Sequence, residues 1–182
     1  MLTMFEPPRI LAIDPGTRFL GIAVLEADDL VYYGVKDLRE KRPASQLMRT
    51  TREVLRELID RYEPKTLAYE KSFYVQSKAS VLLQRQEAEI ARIGQAAKLR
   101  VVASLPSEAR AVVCHDAWAT KAMVAEHLVR RFPDLARYHP LPDEQRARYW
   151  LHMFDALAVA VAAGQPARKV NPTSGGRTAR AG

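Results

Sequence analysis

Four side chains, drawn from three distant parts of the chain, are of the types that hold hard cations. They are Asp14 in "AIDPGT", Glu70 in "LAYEKS", and His152 and Asp155 in "LHMFDALAV". Asp14 and Glu70 each close a short apolar run, the signature of a buried strand ending at a sheet edge. His152 precedes Asp155 by three residues, which on a helix places both on one face, about 5–6 Å apart at Cβ. Asp155 carries the strongest single signal. It interrupts the otherwise apolar "MFDALAVAVAA", where a carboxylate costs free energy unless something pairs with it. Three carboxylates brought together cannot all be ionised without a neutralising cation. Oxygen-rich ligation favours Mg²⁺ or Mn²⁺, and one imidazole tilts the choice toward Mn²⁺. Two such ions about 3.5–4 Å apart can activate water on one side of a phosphodiester and stabilise the leaving oxygen on the other. The chemistry this implies is hydrolytic cleavage of nucleic acid. Taken singly, each residue also has a plainer reading: Asp14 as a turn opener before Pro-Gly, Glu70 as a solvated strand end, and His152 as a hydrogen-bonded helix residue.

For the four to meet, particular elements must carry them. Residues 9–14 and 20–26 read as buried strands joined by the Asp-Pro-Gly-Thr turn, and "LVYYGVKDL" at 30–38 as a third strand completing an antiparallel meander. Apolar residues at helical spacing predict a helix over 46–62, stopped by Glu63-Pro64. "KTLAYEKSF" reads as a fourth strand, followed by a long helix over about 76–98 and a fifth strand in "LRVVASL". Pro106-Ser107 opens one helix, "ATKAMVAEHLVRRF" forms another, and 133–142 reads as a polar, proline-marked loop. The last helix, about 143–163, carries the His-x-x-Asp pair, and its alanines allow close packing on a sheet. The order βββαβαβααα describes an α/β fold: a mixed five-stranded sheet, antiparallel first, with helices on its faces.

Composition sets the outer limits. A chain of 182 residues forms one domain able to bury roughly 70% of its unfolded surface. No apolar run approaches the roughly 20 residues that cross a bilayer. The opening "MLTMFEPPRI" lacks the pattern of a secretory signal, and the single cysteine, Cys114, excludes an internal disulfide framework; both lead us to expect a reducing cytoplasm. Four of the seven net positive charges, Arg168, Lys169, Arg177 and Arg180, fall in residues 165–182. That acid-free segment, rich in Pro, Gly and Ser, reads as a disordered basic tail suited to a polyanion or serving solubility, and 1–164 as the folded domain.

Taken in order, "ILAIDPGTRFLGIAV", "TLAYEKSF" and "HMFDALAVAVA" resemble the three acidic motifs of the RuvC-type Holliday-junction resolvases, within the RNase H-like nuclease superfamily. The resemblance covers residues 9–164. It implies an RNase H-like sheet, with Asp14, Glu70 and Asp155 as metal ligands and His152 as the fourth, since the family carries aspartate or histidine there. It implies a divalent-metal-dependent endodeoxyribonuclease of DNA recombination and repair, which nicks four-way junctions to leave 5′-phosphate and 3′-hydroxyl ends. Phe73, three residues after the glutamate, matches an aromatic that disturbs stacking at the junction centre, with Tyr74 beside it; core packing is the competing role. Arg110 and Lys121, eleven apart, match two basic family positions that contact DNA or the reacting phosphate. Arg110 stands where lysine is usual. Two opposed nicks imply a homodimer. The helix "SKASVLLQRQEAEIARIGQAA" could supply the contact, although its Val81, Leu82, Ile90 and Ile93 fit a core equally well. The resemblance also leaves room for a branch-migration helicase as a further partner.

Two other classes stay open at this point. Sugar kinases and actin-like ATPases also begin with an Asp-x-Gly-Thr turn, but they need a second domain and a second glycine-rich phosphate loop that this sequence lacks. Another RNase H-like nuclease, acting on RNA or other branched DNA, would keep the fold and the acids. The segment 131–148 looks longer than its family counterpart, so the family's cleavage-sequence preference does not transfer.

Overall fold

The computed structural model describes residues 7–39, 43–72 and 78–165. Strands β1 (Arg9–Asp14), β2 (Phe19–Glu26) and β3 (Asp29–Asp37) form the expected meander. Helix α1 (Ala44–Tyr62) then leads to β4 (Thr66–Glu70), α2 (Lys78–Ala96) to β5 (Arg100–Ser104), and the chain closes with α3 (Pro106–Cys114), α4 (Lys121–Arg131) and α5 (Glu144–Gly164). The sheet order is β3-β2-β1-β4-β5. β1 pairs antiparallel with β2 and parallel with β4, and β4 pairs parallel with β5.

Alternation along β1 sorts the core into two layers. Ile10 and Ala12 face α5, α3 and α4, whereas Leu11 and Ile13 face α1 and α2. The α5 side of the sheet is lined by alanines, Ala12, Ala23 and Ala68, so the helix lies close. From Met153 to Val161 every residue of α5 is buried, because α3 and α4 cover the face turned away from the sheet. A fully buried Leu or Phe there contributes about 1.5–3 kcal/mol, which outweighs the modest helix propensity of the β-branched valines. One contact fixes how near α5 comes: a Cβ on Gly21 would lie 1.9 Å from the carbonyl oxygen of His152. Only glycine permits that approach.

Several local expectations are refined. Pro64 stops α1 as expected, and Glu63 adopts a left-handed cap, φ 44°, with its N–H bonded to the Ile59 carbonyl. The segment after Pro133 is more than a loop. It contains a 3₁₀ helix, Pro133–Tyr138, pinned by fully buried Leu135. On α2, Ile90 and Ile93 are core residues and Leu82 is partly buried, which leaves Val81 facing solvent. Phe73 and Tyr74, and the tail beyond residue 165, lie outside the described residues.

Candidate active site

Parallel pairing of β1 with β4 runs to Ile13 opposite Tyr69, so the next residues, Asp14 and Glu70, emerge side by side at one edge of the sheet. Glu70 is held from both sides. The Lys71 N–H donates to the Ser104 carbonyl at 2.8 Å, and the Ser72 N–H to the buried carboxylate of Glu87 at 2.9 Å. From the opposite side, α5 delivers its pair. His152 Nδ1 lies 2.6 Å from Asp14 Oδ2, and Asp155 is buried beside them. Thr120 caps α4 by accepting the Met123 N–H at 3.2 Å, which makes Lys121 the first helical residue and aims its ammonium at Asp155, with which it forms an ion pair.

Electrostatics ties these groups into one cluster. Burial, followed by the charges of Asp14 and Asp155, pushes the Glu70 carboxyl up to about 8, against the pull of Lys121 and Arg110. Burial and Asp14 raise Asp155 to about 6, opposed by Lys121 and His152. Burial works against the Lys121 ammonium, yet Asp155, with Asp14 and Glu70 behind it, outweighs that cost and raises its pKa. Arg110 on α3 thus reaches the cluster through its field on Glu70, while Lys121 touches it directly.

The arrangement differs in one respect from a ready-made cage. Among the described residues, no three His, Cys, Asp or Glu side chains are disposed as they stand to hold one ion together. His152 instead engages Asp14, and Lys121 engages Asp155. The donor chemistry nonetheless fits a divalent cation: three carboxylates and an imidazole face one another, and the negative charge on Glu70 is costly enough to hold its proton to about 8.

Sequence reading missed the residues that steady this set. Phe19, at the start of β2, packs its ring 5.5 Å from that of His152 and edge-on to Tyr149 at 5.2 Å. The Tyr149 hydroxyl in turn donates to the Val35 carbonyl at 2.9 Å, tying α5 to β3. Glu87 looks in sequence like any acid on an amphipathic helix. The aromatic i, i+3 pair Tyr149 and His152 on α5 was the only cue that the histidine has a supported face.

Comparison with known proteins supplies the family and the fold. The family model for crossover junction endodeoxyribonuclease RuvC matches residues 10–163. The enzyme of that name from Akkermansia muciniphila is 30% identical over 158 residues, covering 84% of this chain and 88% of the relative. Its counterpart from Thermotoga maritima is 26% identical over 157 residues, covering 84% and 88%. In fold, the structure is similar to Thermus thermophilus RuvC, with a TM-score of 0.68 at 22% identity over 85% of this chain and 92% of that one. It is also similar to the yeast mitochondrial Holliday junction resolvase Ydc2, with a TM-score of 0.63 at 14% identity over 89% and 80%. Because the family match runs from the second residue of β1 to the penultimate residue of α5, it takes in every strand and helix of the fold, and the chain belongs to the RuvC family of crossover junction endodeoxyribonucleases.

Proposed function

We propose that this family member resolves Holliday junctions by paired, symmetric nicks, hydrolysing one phosphodiester in each of two opposed strands. The observation that carries the reading is the meeting of Asp14, Glu70 and Asp155 at one sheet edge, with His152 bonded to the first and Lys121 to the last.

RuvC-family nucleases depend on a divalent metal, and here Asp14, Glu70, His152 and Asp155 are the residues that would hold it. Two Mg²⁺ or Mn²⁺ ions would suit this donor set of three carboxylates and one imidazole. Bound there, such ions supply Lewis acidity, lowering the pKa of an attacking water and neutralising charge that develops on the phosphate. The protein groups do the rest. Burial of Asp14 and Asp155 keeps bulk water from competing at the acids, and the Gly21 contact holds α5 against β2. Lys121, anchored by the cap of α4, orients the water or the scissile phosphate. Water attacks phosphorus in line, the bond to the 3′ oxygen breaks, and that oxygen leaves with a proton as a 3′-hydroxyl opposite a 5′-phosphate. Arg110, whose field reaches Glu70, is assigned to a neighbouring phosphate, and Phe73 and Tyr74 to the opened junction arms.

Residues 1–164 form the nuclease domain and 165–182 a basic tail on this reading. Paired nicks call for a homodimer, to which α2 with its exposed Val81 can contribute, and a branch-migration helicase is a natural companion. No helix among the described residues is long and apolar enough to cross a membrane, which suits a cytoplasmic enzyme.

The test uses a labelled synthetic four-way junction and a linear duplex of the same sequence, with Mg²⁺, Mn²⁺ or chelator. Symmetric nicks on the junction alone, abolished by chelator, are expected. Equal cutting of linear duplex, or cutting of RNA in preference, would overturn the assignment.

A further inference from the structure

Beside the acidic cluster a cleft of about 1000 Å³ opens between the β1–β2 turn, the end of β3 and the first turns of α5. It shares His152 with the cluster, so whatever fills it continues into the place where the phosphate is cut. Four arginines, Arg18, Arg39, Arg146 and Arg148, line it, and among the described residues no carboxylate does.

The four are not equivalent. Arg39 is taken up by Asp37, with its Nε 3.0 Å from Oδ2. Arg148 meets Glu144 only at 3.5 Å across one exposed helical turn, a pairing worth little. Arg18 and Arg146 are exposed, and among the described residues neither guanidinium makes a hydrogen bond or ion pair. Their backbones, in contrast, are fixed. The Arg18 carbonyl accepts the Leu38 N–H at 2.8 Å, and the Arg146 N–H donates to the capping carboxylate of Asp143 at 2.7 Å. These are cations on a fixed frame, and among the described residues Arg18 acts on a carboxylate only through its field on Asp37.

The aromatic side chains of the cleft say what kind of group it takes. Phe19 is already covered by the Arg39 guanidinium, 5.3 Å from its centroid, and flanked by Tyr149 and His152. Tyr149 lies edge-on to both Phe19 and Trp150. A nucleobase finds little open ring face to stack on, whereas a phosphate finds two guanidinium forks suited to bidentate contact. We propose that this cleft is a backbone subsite that grips the sugar–phosphate chain flanking the scissile phosphate, with Arg18 and Arg146 as its two phosphate ligands. It rests on the nuclease reading above and adds to it the direction in which the cut strand leaves the acids. The grip is independent of base identity, because the contacts assigned to Arg18 and Arg146 are to phosphate oxygens, which carry no sequence information. It also gives a role to the N-terminal part of α5.

Single-turnover cleavage of a labelled four-way junction in Mg²⁺, followed against enzyme concentration at several salt concentrations, tests the assignment. For the wild type, log affinity falls with log salt by about 0.9 for each phosphate neutralised. Arg18→Ala and Arg146→Ala should each raise the half-saturating concentration and lower that slope by about 0.9, with the maximal rate at saturation within about two-fold of wild type. Arg146→Lys, which keeps the charge, should recover the slope. Unchanged thermal midpoints, expected because both side chains are exposed and unbonded, separate this effect from misfolding. Slopes equal to wild type in both alanine variants would overturn the subsite, as would a loss confined to the maximal rate. Failure of the wild type itself to cut the junction would instead count against the nuclease reading.

Discussion

Glu70 shows what it costs to crowd carboxylates at a sheet edge. Its pKa rises from 4.5 to about 8, and that of Asp155 from 3.8 to about 6, both through burial first and neighbouring acids second. Between those limits the folded protein binds more protons than the unfolded chain, so stability falls as pH rises. The contribution is fully present below about pH 4 and is lost progressively up to about pH 8. In chelator, the thermal midpoint is therefore expected to drop between pH 5 and pH 8, and Glu70→Gln should flatten the drop. Millimolar Mg²⁺ or Mn²⁺ should do the same by supplying the missing positive charge. A midpoint that rises across this range in chelator would contradict the placement of these acids. Asp14 carries a different expectation. Asp14→Asn keeps the size and the strand but removes the charge shared with His152, so cleavage should fall more than about 100-fold while junction binding persists. A gel-shift assay beside the cleavage assay checks both, and loss of binding together with cleavage would point to a folding role instead.

At the level of elements, the site depends on how closely α5 lies on β2. Gly21→Ala would drive a methyl group into the His152 backbone, which cannot yield as a flexible side chain does. Overpacking of this kind typically costs 1–3 kcal/mol, and here the strain falls on the turn of α5 that carries the histidine. The variant should melt lower and cut poorly; wild-type cleavage would show that α5 can be placed otherwise. Phe19→Ala removes the ring behind His152 but no ligand, and a 10–100-fold loss of metal affinity, read by titrating Mn²⁺ in the cleavage assay, is expected. Such contacts separate what the sequence discloses from what it conceals. The strands and long helices were legible to within a few residues, since period-2 and period-3.6 patterns with Pro and Gly stops are local signals. The acids were legible because charge inside an apolar run is conspicuous. Glu87, Phe19 and the Lys121 pairing with Asp155 were not, because each depends on which distant backbone comes near, and an acid on an amphipathic helix or an aromatic opening a strand looks ordinary until then. The 3₁₀ helix around Leu135 was hidden for another reason: one buried leucine in a polar, proline-marked stretch has no period to detect.

For the molecule as a whole, the decisive quantity is the number of sites that act on one junction. Among the described residues each chain presents one acidic cluster at one end of one sheet, so on the proposed reading two symmetric nicks call for two chains related by a twofold axis. Mixing wild-type protein with Asp14→Asn distinguishes a committed dimer from monomers that cut in turn. If the chains reassort at random from equal amounts, about half of the dimers are mixed, each with one competent centre. Such a dimer holds the junction and nicks one strand, so singly nicked junctions should accumulate beyond what diluted wild-type enzyme produces. Independent monomers predict something else: the inactive chain merely competes for substrate, and the ratio of single to paired nicks stays as it is for wild type at matched turnover. Trapping the products in a supercoiled plasmid bearing a cruciform makes the two outcomes separable, because one nick relaxes the circle and releases the cruciform whereas paired nicks linearise it. An increased ratio of nicked circle to linear product in the mixed sample is the expected result, and an unchanged ratio would remove the dimer from the mechanism.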